Sequence, residues 1–465
     1  MTALLDTAVD ETTAVDAPFD VLDAVLTGSV HTPDDPGYGP LVSPWNLAVP
    51  VQPAAVVDAR TGQDVATAVR FAGAFGLGVG VQATGHGAVR GITGDLLIST
   101  KGLDELTVHP EGWARVGAGV KWLRVIEAAA PLGLAPLNGS SSDVGVVGYT
   151  TGGGVGPMAR TYGLAADRVR AFDVVTGDGV LRRVTPTEHP DLFWALRGGK
   201  GTTGIVTAVE FDLLRMSTFY GGAIYFDGAD TARVVEAWRH WSATLPEQGT
   251  TSFVIFQLPP LEFVPPPLAG RMTLGVRFLW TGDPAEGARL LDQLRAVAPV
   301  VLDDAALKPY TAVDSVHADP VDPMPVIDPA ILLRDFPAEA AELLLAVAGP
   351  GSGSPQVLVE VRQLGGAYAR EAEHPNAFDH RDARYSLLVV GMAPDPAAPG
   401  HAEAVFSALA DWDTGTVWPN FGPVHDARSA RRAYDEATRR RLAGIVATYD
   451  PDGVLTPGRW TRDTD

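Results

Sequence analysis

Apolar and polar positions along this chain follow two periods, and their order predicts the architecture. Short apolar runs at 54–57, 77–83, 95–100, 113–118, 169–176 and 204–214 predict strands. Between the first two, Val65, Ala68, Val69, Ala72 and Phe75 recur at helical spacing. Thr61 precedes them with Asp64 three residues on, a capping-box signature, and Gly76 and Gly78 stop the helix. Further helices are expected over 20–31, over 120–130 up to Pro131, and over 190–196. Asp178-Gly179 predicts a hairpin turn into a strand at 180–184.

Near Ser217 the pattern changes. Strands are expected at 219–226, 251–258, 271–280, 356–364 and 384–391, and helices at 229–244, 284–297, 337–348 and 401–411. That order predicts an α+β layer, an antiparallel sheet with helices packed on one face. The stretch 311–337 is rich in proline and reads as a long loop of the kind that serves as a lid. An arginine-rich helix is expected over 428–447. The resulting division is an arm and lead-in at 1–44, a first domain from 45–215, an inserted domain at 216–413 and a return to the first domain at 414–465. With 465 residues, two domains are the expectation on length as well.

Composition narrows the function. Hydrophobic residues make up 46 % and charged residues 20 %, ordinary for a globular protein. A net charge of −21 argues against a nucleic-acid partner. There is no cysteine, hence no disulfide, thiolate metal site or cysteine nucleophile. No run has the length of a membrane-spanning helix, and the acidic first residues lack a secretory signal's basic flank. The expectation is a cytoplasmic protein with no membrane partner.

Candidate chemistry concentrates between Asp143 and Asp167. Gly145, Gly148, Gly152, Gly153, Gly154 and Gly156 crowd there among Val144, Val146, Val147, Tyr149 and Val155. Linkers are polar; this run reads as packed backbone that lets amides approach a phosphate or a flat ring. His86 sits in the tight loop Thr84-Gly85-His86-Gly87 at the end of an apolar strand. Spacing alone leaves ligand, base and covalent attachment open for it. The scattered histidines make no metal site, and there is no Gly-x-Ser-x-Gly elbow. Gly198-Gly199-Lys200-Gly201 lacks the hydroxyl residue a phosphate-binding P-loop needs after its lysine. A nicotinamide-type glycine fingerprint fits poorly, since no acidic strand end follows at the right distance.

Four motifs in order carry a resemblance. They are the Gly-His-Gly loop, the segment Asp143–Asp167 with Tyr162-Gly163-Leu164, the run from His189 to Gly199 (His-Pro-Asp-Leu-Phe-Trp-Ala-Leu-Arg-Gly-Gly), and Ala377–Ala383 with the terminal Tyr449-Asp-Pro-Asp452. The chain resembles the berberine-bridge-enzyme-like FAD-linked oxidases of the vanillyl-alcohol-oxidase group. The resemblance implies a two-domain PCMH-type FAD-binding fold with an inserted α+β substrate domain. It implies FAD bonded through His86, with Thr84, Gly85, Gly87, Asp143, Gly145, Val146, Gly148, Gly152, Gly153, Tyr162, Gly204, Ile205, Val206, Asn420 and Phe421 around it. The partners it implies are a small-molecule substrate, of secondary-metabolite type, and molecular oxygen.

Departures from the family pattern sharpen these expectations. Ser141 stands where many members carry a second, cysteinyl tether, so the resemblance implies attachment through His86 alone, or a flavin held non-covalently. The family's Tyr-x-Asn-Tyr base segment reads Trp418-Pro-Asn420-Phe421 here, without the phenol. Glu360 becomes the candidate base, on a strand where Glu360 and Arg362 face one way; partial desolvation is expected to raise its pKa. An ordinary Glu360–Arg362 ion pair is the bland counterpart. Tyr149 joins them as a catalytic candidate; His425, Tyr385, Gln363 and Tyr225 are weaker ones. Phe253, Val254, Phe256 and Leu258 are expected to line an apolar substrate site, which weighs against a sugar. Valine at 146, the family's gatekeeper position, favours oxygen access. Flavin-dependent oxygenation through an N5 adduct and a catalytically silent flavin-binding protein are the alternatives.

Overall fold

The computed structural model describes residues 17–88, 92–262, 264–422 and 425–462. Its first sheet runs in the order Ser29–His31, Ala55–Asp58, Leu96–Ser99, Val79–Gln82, parallel apart from the first strand. Parallel strands are covered on both faces, and Ala55–Asp58 and Leu96–Ser99 are buried throughout. Helix Gly62–Phe75 has the expected capping box: Thr61 accepts the Asp64 N–H, and Gly76 closes the helix at φ 68°. Asp64 also accepts the N–H groups of Thr27, Gly28 and Arg60. This carboxylate marks a difference from expectation. The helix expected over 20–31 stops at Asp23, and Ser29–His31 joins the sheet instead, with Asp64 accepting the N–H groups of Thr27 and Gly28 in the bend between them.

A second, antiparallel sheet follows in the order Leu106–His109, Trp113–Gly117, Ile205–Asp212, Val169–Val175, Leu181–Val184. Its core takes in helix Trp122–Ala129, Phe193 and Trp194, and the terminal Ile445 and Trp460. The end of the chain thus packs back onto its first half.

The third sheet has nine antiparallel strands, with the order Val300–Asp303, Thr218–Asp227, Met272–Trp280, Gly249–Gln257, Leu358–Gln363, Tyr385–Met392 along its length. One face is covered by Thr231–Ala243, Pro284–Arg295, Ala338–Ala348 and Ala398–Ala408, as the pattern predicted. The stretch 311–337 is not a free loop. Tyr310–Val316 is a 3-10 helix, and Val326–Ile327 and Ala330–Leu333 pair with Tyr385–Met392. It is also bolted to the first half. Asn46 Nδ2 donates to Val326 O at 3.1 Å, Leu47 N to Met324 O at 3.1 Å, and Trp45 Nε1 to Val321 O at 3.0 Å. The helix expected over 428–447 is two, Ala427–Ala433 and Glu436–Tyr449. Buried Tyr434 donates to Gly198 O at 3.1 Å, and Asp435 caps the second helix, so the break serves both contacts.

Candidate active site

His86 lies on the loop after Val79–Gln82. Gly85 makes the turn at φ 79°; a Cβ there would stand 2.5 Å from Pro44 Cα, so only glycine fits. The His86 imidazole stacks on Trp45, with centroids 4.6 Å apart and planes inclined by 14°. Its Nδ1 lies 3.0 Å from Thr84 Oγ1. Burial lowers its pKa to about 4, partly opposed by Asp143 and assisted by Lys121. The ring is therefore neutral, with a lone pair available, across the physiological range. Asp143 itself pairs with Lys121 at 2.5 Å.

The glycines of the run divide into two kinds. A Cβ on Gly152 would collide with Asn420, on Gly153 with Phe378, and on Gly156 with Asn138 O. On Gly154, at φ 77°, it would stand 2.8 Å from Tyr149 and 2.7 Å from Ala165. These four are glycine because protein packs against them. Gly148 is different: nothing lies within 4 Å of its Cβ position, and it is exposed. Gly87 is exposed too, with only Lys200 near, at 3.6 Å, and Gly145 meets nothing closer than 3.7 Å. The open backbone is thus Gly87 and Gly148, on the His86 loop and helix Val146–Thr151, whereas Gly145 is buried. Asn420 donates to Tyr149 O at 2.9 Å and accepts from Lys200.

Other expected residues are packed against protein. Val146 is fully buried in the core and its N–H donates to Val120 O, so its side chain packs. Ile205 and Val206 face two different cores. Gly204 is pressed against Val174, 2.5 Å from the Cβ position. Tyr162 packs against the same core as Val146, and Phe421 packs on Trp418.

The second constellation lies on the sheet face opposite the helices. Strand register sets Arg277 beside Ser252 and Ser252 beside Arg362, with Glu360 two residues before Arg362. Glu360 is 2 % exposed. It accepts from Ser252 Oγ at 2.6 Å, Arg277 Nη1 at 2.9 Å and Arg362 Nη2 at 3.2 Å. This corrects the expected basicity. Burial pushes the carboxyl up, but Arg362 and Arg277 outweigh it and hold it well below the usual carboxylate range. The ion pair is there, and it is stronger than the sequence implied because a second arginine joins it.

His317 caps the cluster. Its carbonyl accepts from Arg277 Nη2 at 2.8 Å and its Nε2 accepts from Arg362 Nη2 at 3.1 Å. Burial, then the two arginines, keep its pKa well below normal, so it is neutral with the proton on Nδ1. That Nδ1, Arg277 Nε and Thr250 Oγ1 are buried donors without a protein partner. His317, Arg277 and Ser252 escaped the sequence reading. The one available signal was Arg277 inside the apolar strand Leu-Gly-Val-Arg-Phe-Leu-Trp, since a buried arginine needs a partner.

Tyr149 is wedged among Gly139, Gly154 and Gly156, its buried hydroxyl unpartnered and its pKa raised by burial. Arg362 is near enough to act on it electrostatically. Phe253, expected to line the site, faces the other way: it packs on Trp238 at 4.9 Å and on Phe336 at 5.8 Å under the helices. Strand alternation leaves Val254, Phe256 and Tyr225 on the site-side face, against Val264 and Leu268. Tyr385 packs under the helices, Gln363 donates to Ser242 O, and His425 lies on the surface beside Asp426.

Comparisons with known proteins identify the chemistry of this fold as that of a flavin-dependent oxidoreductase. Residues 53–185 match the FAD binding domain family. Across 92 % of its length the chain is 26 % identical to an FAD-linked oxidoreductase of Penicillium rubens, covering 94 % of that protein. It is also 26 % identical to the (R)-6-hydroxynicotine oxidase of Paenarthrobacter nicotinovorans, over 92 % of the chain and 95 % of the relative. The structure of BBE-like 1 from Physcomitrella patens superposes with a TM-score of 0.80, at 19 % identity, over 94 % of this chain and 98 % of that one. The chain is an FAD-linked oxidoreductase with the berberine-bridge-enzyme-like fold. Its residues fit the cofactor: open glycines at 87 and 148, a neutral imidazole beside Gly87, and a lysine ammonium between them. Among the described residues no helix is long and apolar enough to cross a membrane.

Proposed function

We propose that this protein is an oxidase that carries FAD covalently on His86 and oxidises a small organic substrate at the expense of dioxygen. The observation that supports this most is the His86 loop. A neutral imidazole, held flat by Trp45, stands beside backbone that nothing else covers. In this reading 45–215 and 414–465 hold the cofactor, and 216–413 bind the substrate.

Bound FAD supplies a two-electron acceptor that dioxygen can reoxidise. His86 would hold it through a ring nitrogen, which burial leaves neutral at physiological pH. With no cysteine in the chain, His86 is the single tether.

Glu360 takes the substrate proton, with Arg362 and Arg277 fixing its orientation. A weakly basic carboxylate is sufficient for this. Once hydride begins to leave an alcohol carbon, the O–H of the developing cation is a far stronger acid than a carboxylic acid. Tyr149, behind the glycines, keeps a positioning role.

Peroxide release across a panel of alcohols and amines tests the proposal. Turnover with one equivalent of peroxide per product supports it; labelled oxygen appearing in the product would mark an oxygenase instead. Protein that binds FAD yet neither bleaches anaerobically nor yields peroxide with any substrate would be a silent binder. Gly148 gives an independent check of the cofactor site. Gly148→Leu should fold as well as the parent, because its Cβ position is open and leucine is the better helix former by roughly 0.5–1 kcal/mol. It should nevertheless lose most of its FAD, read as flavin absorbance per protein.

A further inference from the structure

Lys200 has two features that the fold does not explain. Its backbone is left-handed, φ 58°, a conformation that costs a non-glycine residue on the order of 1 kcal/mol. Its ammonium donates to Gly148 O at 2.9 Å and to Asn420 Oδ1, and lies 3.6 Å from the Cβ position of Gly87. Three segments therefore converge on one cation: the His86 loop, the glycine-rich helix and the C-terminal return.

That cation has no counter-charge. Lys121 holds Asp143 and Lys308 holds Asp304, whereas no carboxylate pairs with Lys200 among the described residues. Burial lowers the ammonium to about 8, and no neighbouring charge acts on it; His86 on the adjoining loop is neutral. A crowded, unpaired cation on a strained backbone is destabilising unless a ligand offsets it.

We propose that Lys200 binds the cofactor, its ammonium pairing with an anionic group of FAD. This rests on the flavin reading above. FAD offers two such groups, the diphosphate in every state and the ring system once reduced, and the test separates them.

The test uses a His86→Ala background, so that flavin can be removed and added back. Apoprotein with Lys200, Lys200→Gln or Lys200→Arg is titrated with FAD and with riboflavin, followed by flavin fluorescence, and midpoint potentials are measured on the loaded proteins. Glutamine keeps a donor for Gly148 O and Asn420 but removes the charge, so a merely structural role would survive it. Lys200→Gln is expected to weaken FAD binding about tenfold or more, the loss of one charge-assisted contact, with Lys200→Arg restoring most of it. Loss for FAD but not for riboflavin assigns the diphosphate. A lower midpoint potential at unchanged affinity assigns the reduced ring. With Lys200, FAD affinity should fall as pH rises through about 8; with glutamine it should stay level. Equal FAD affinity and equal potential in Lys200 and Lys200→Gln would overturn the proposal. If the His86→Ala protein with Lys200 intact binds no FAD at all, it is the flavin reading that fails.

Discussion

Denatured in acid or detergent, the native protein should keep its yellow colour on the polypeptide, and His86→Ala should release it completely. The argument runs from the loop upward. Gly85 can make its turn only without a side chain, and this aims the imidazole along Trp45. Burial holds the ring near pKa 4, so at pH 7 essentially all of it is the nucleophilic neutral form. A lowered histidine pKa means attachment should proceed at an even rate from about pH 5 upward and fail only as pH drops through about 4. No second tether can mask the loss, since the chain has no cysteine. Trp45→Ala should leave FAD bound but lower the attached fraction several-fold, because the ring would lose its stacking partner. Colour that leaves with denaturation in the native protein, or stays after His86→Ala, would sink the tether.

The second large effect belongs to Glu360. Glu360→Gln leaves Arg277 and Arg362 buried around a neutral group. Breaking a buried pair by removing one partner costs about 3–5 kcal/mol, enough to lower the melting midpoint on the order of 10 °C. Turnover by folded enzyme should fall roughly 10²–10⁴-fold if the carboxylate also receives the substrate proton. The pH dependence has a definite sign. The carboxyl's pKa is depressed in the fold, so its contribution to stability is complete above the ordinary glutamate range, near pH 4.3, and is lost as pH falls toward its folded value. Glu360→Gln should therefore flatten the acid limb of stability and leave the range from pH 6 to 9 parallel to the parent. A variant that melts early but turns over normally at 15 °C would leave Glu360 a structural ion and nothing more.

Much of the fold was legible because it is written in short-range chemistry. Thr61 with Asp64, Asp178-Gly179, and the alternation of Val359 and Val361 with Glu360 and Arg362 depend on neighbours a few residues apart. The segment 311–337 was not legible, because its proline-rich composition hides two short strands whose partners lie near 390 and a strap to Asn46. Nor was the break at Tyr434, which answers to Gly198.

The site shows the same division. Local sequence sufficed to single out the His86 loop and the glycine-rich run and to show that the chain has no cysteine; the cofactor itself was read from the family resemblance. Which glycines carry open space needed the fold, because a side chain on Gly152, Gly153, Gly154 or Gly156 would meet Asn420, Phe378, Tyr149 or Asn138. The basicity of Glu360 needed it too. Desolvation is a property of one position, and it points upward; Arg362, two residues along the same strand, lowers the carboxyl most, and Arg277 from another strand adds to it. Electrostatics act through space, so a charge brought 2.9 Å away by strand pairing joins the one the sequence around Glu360 already supplies.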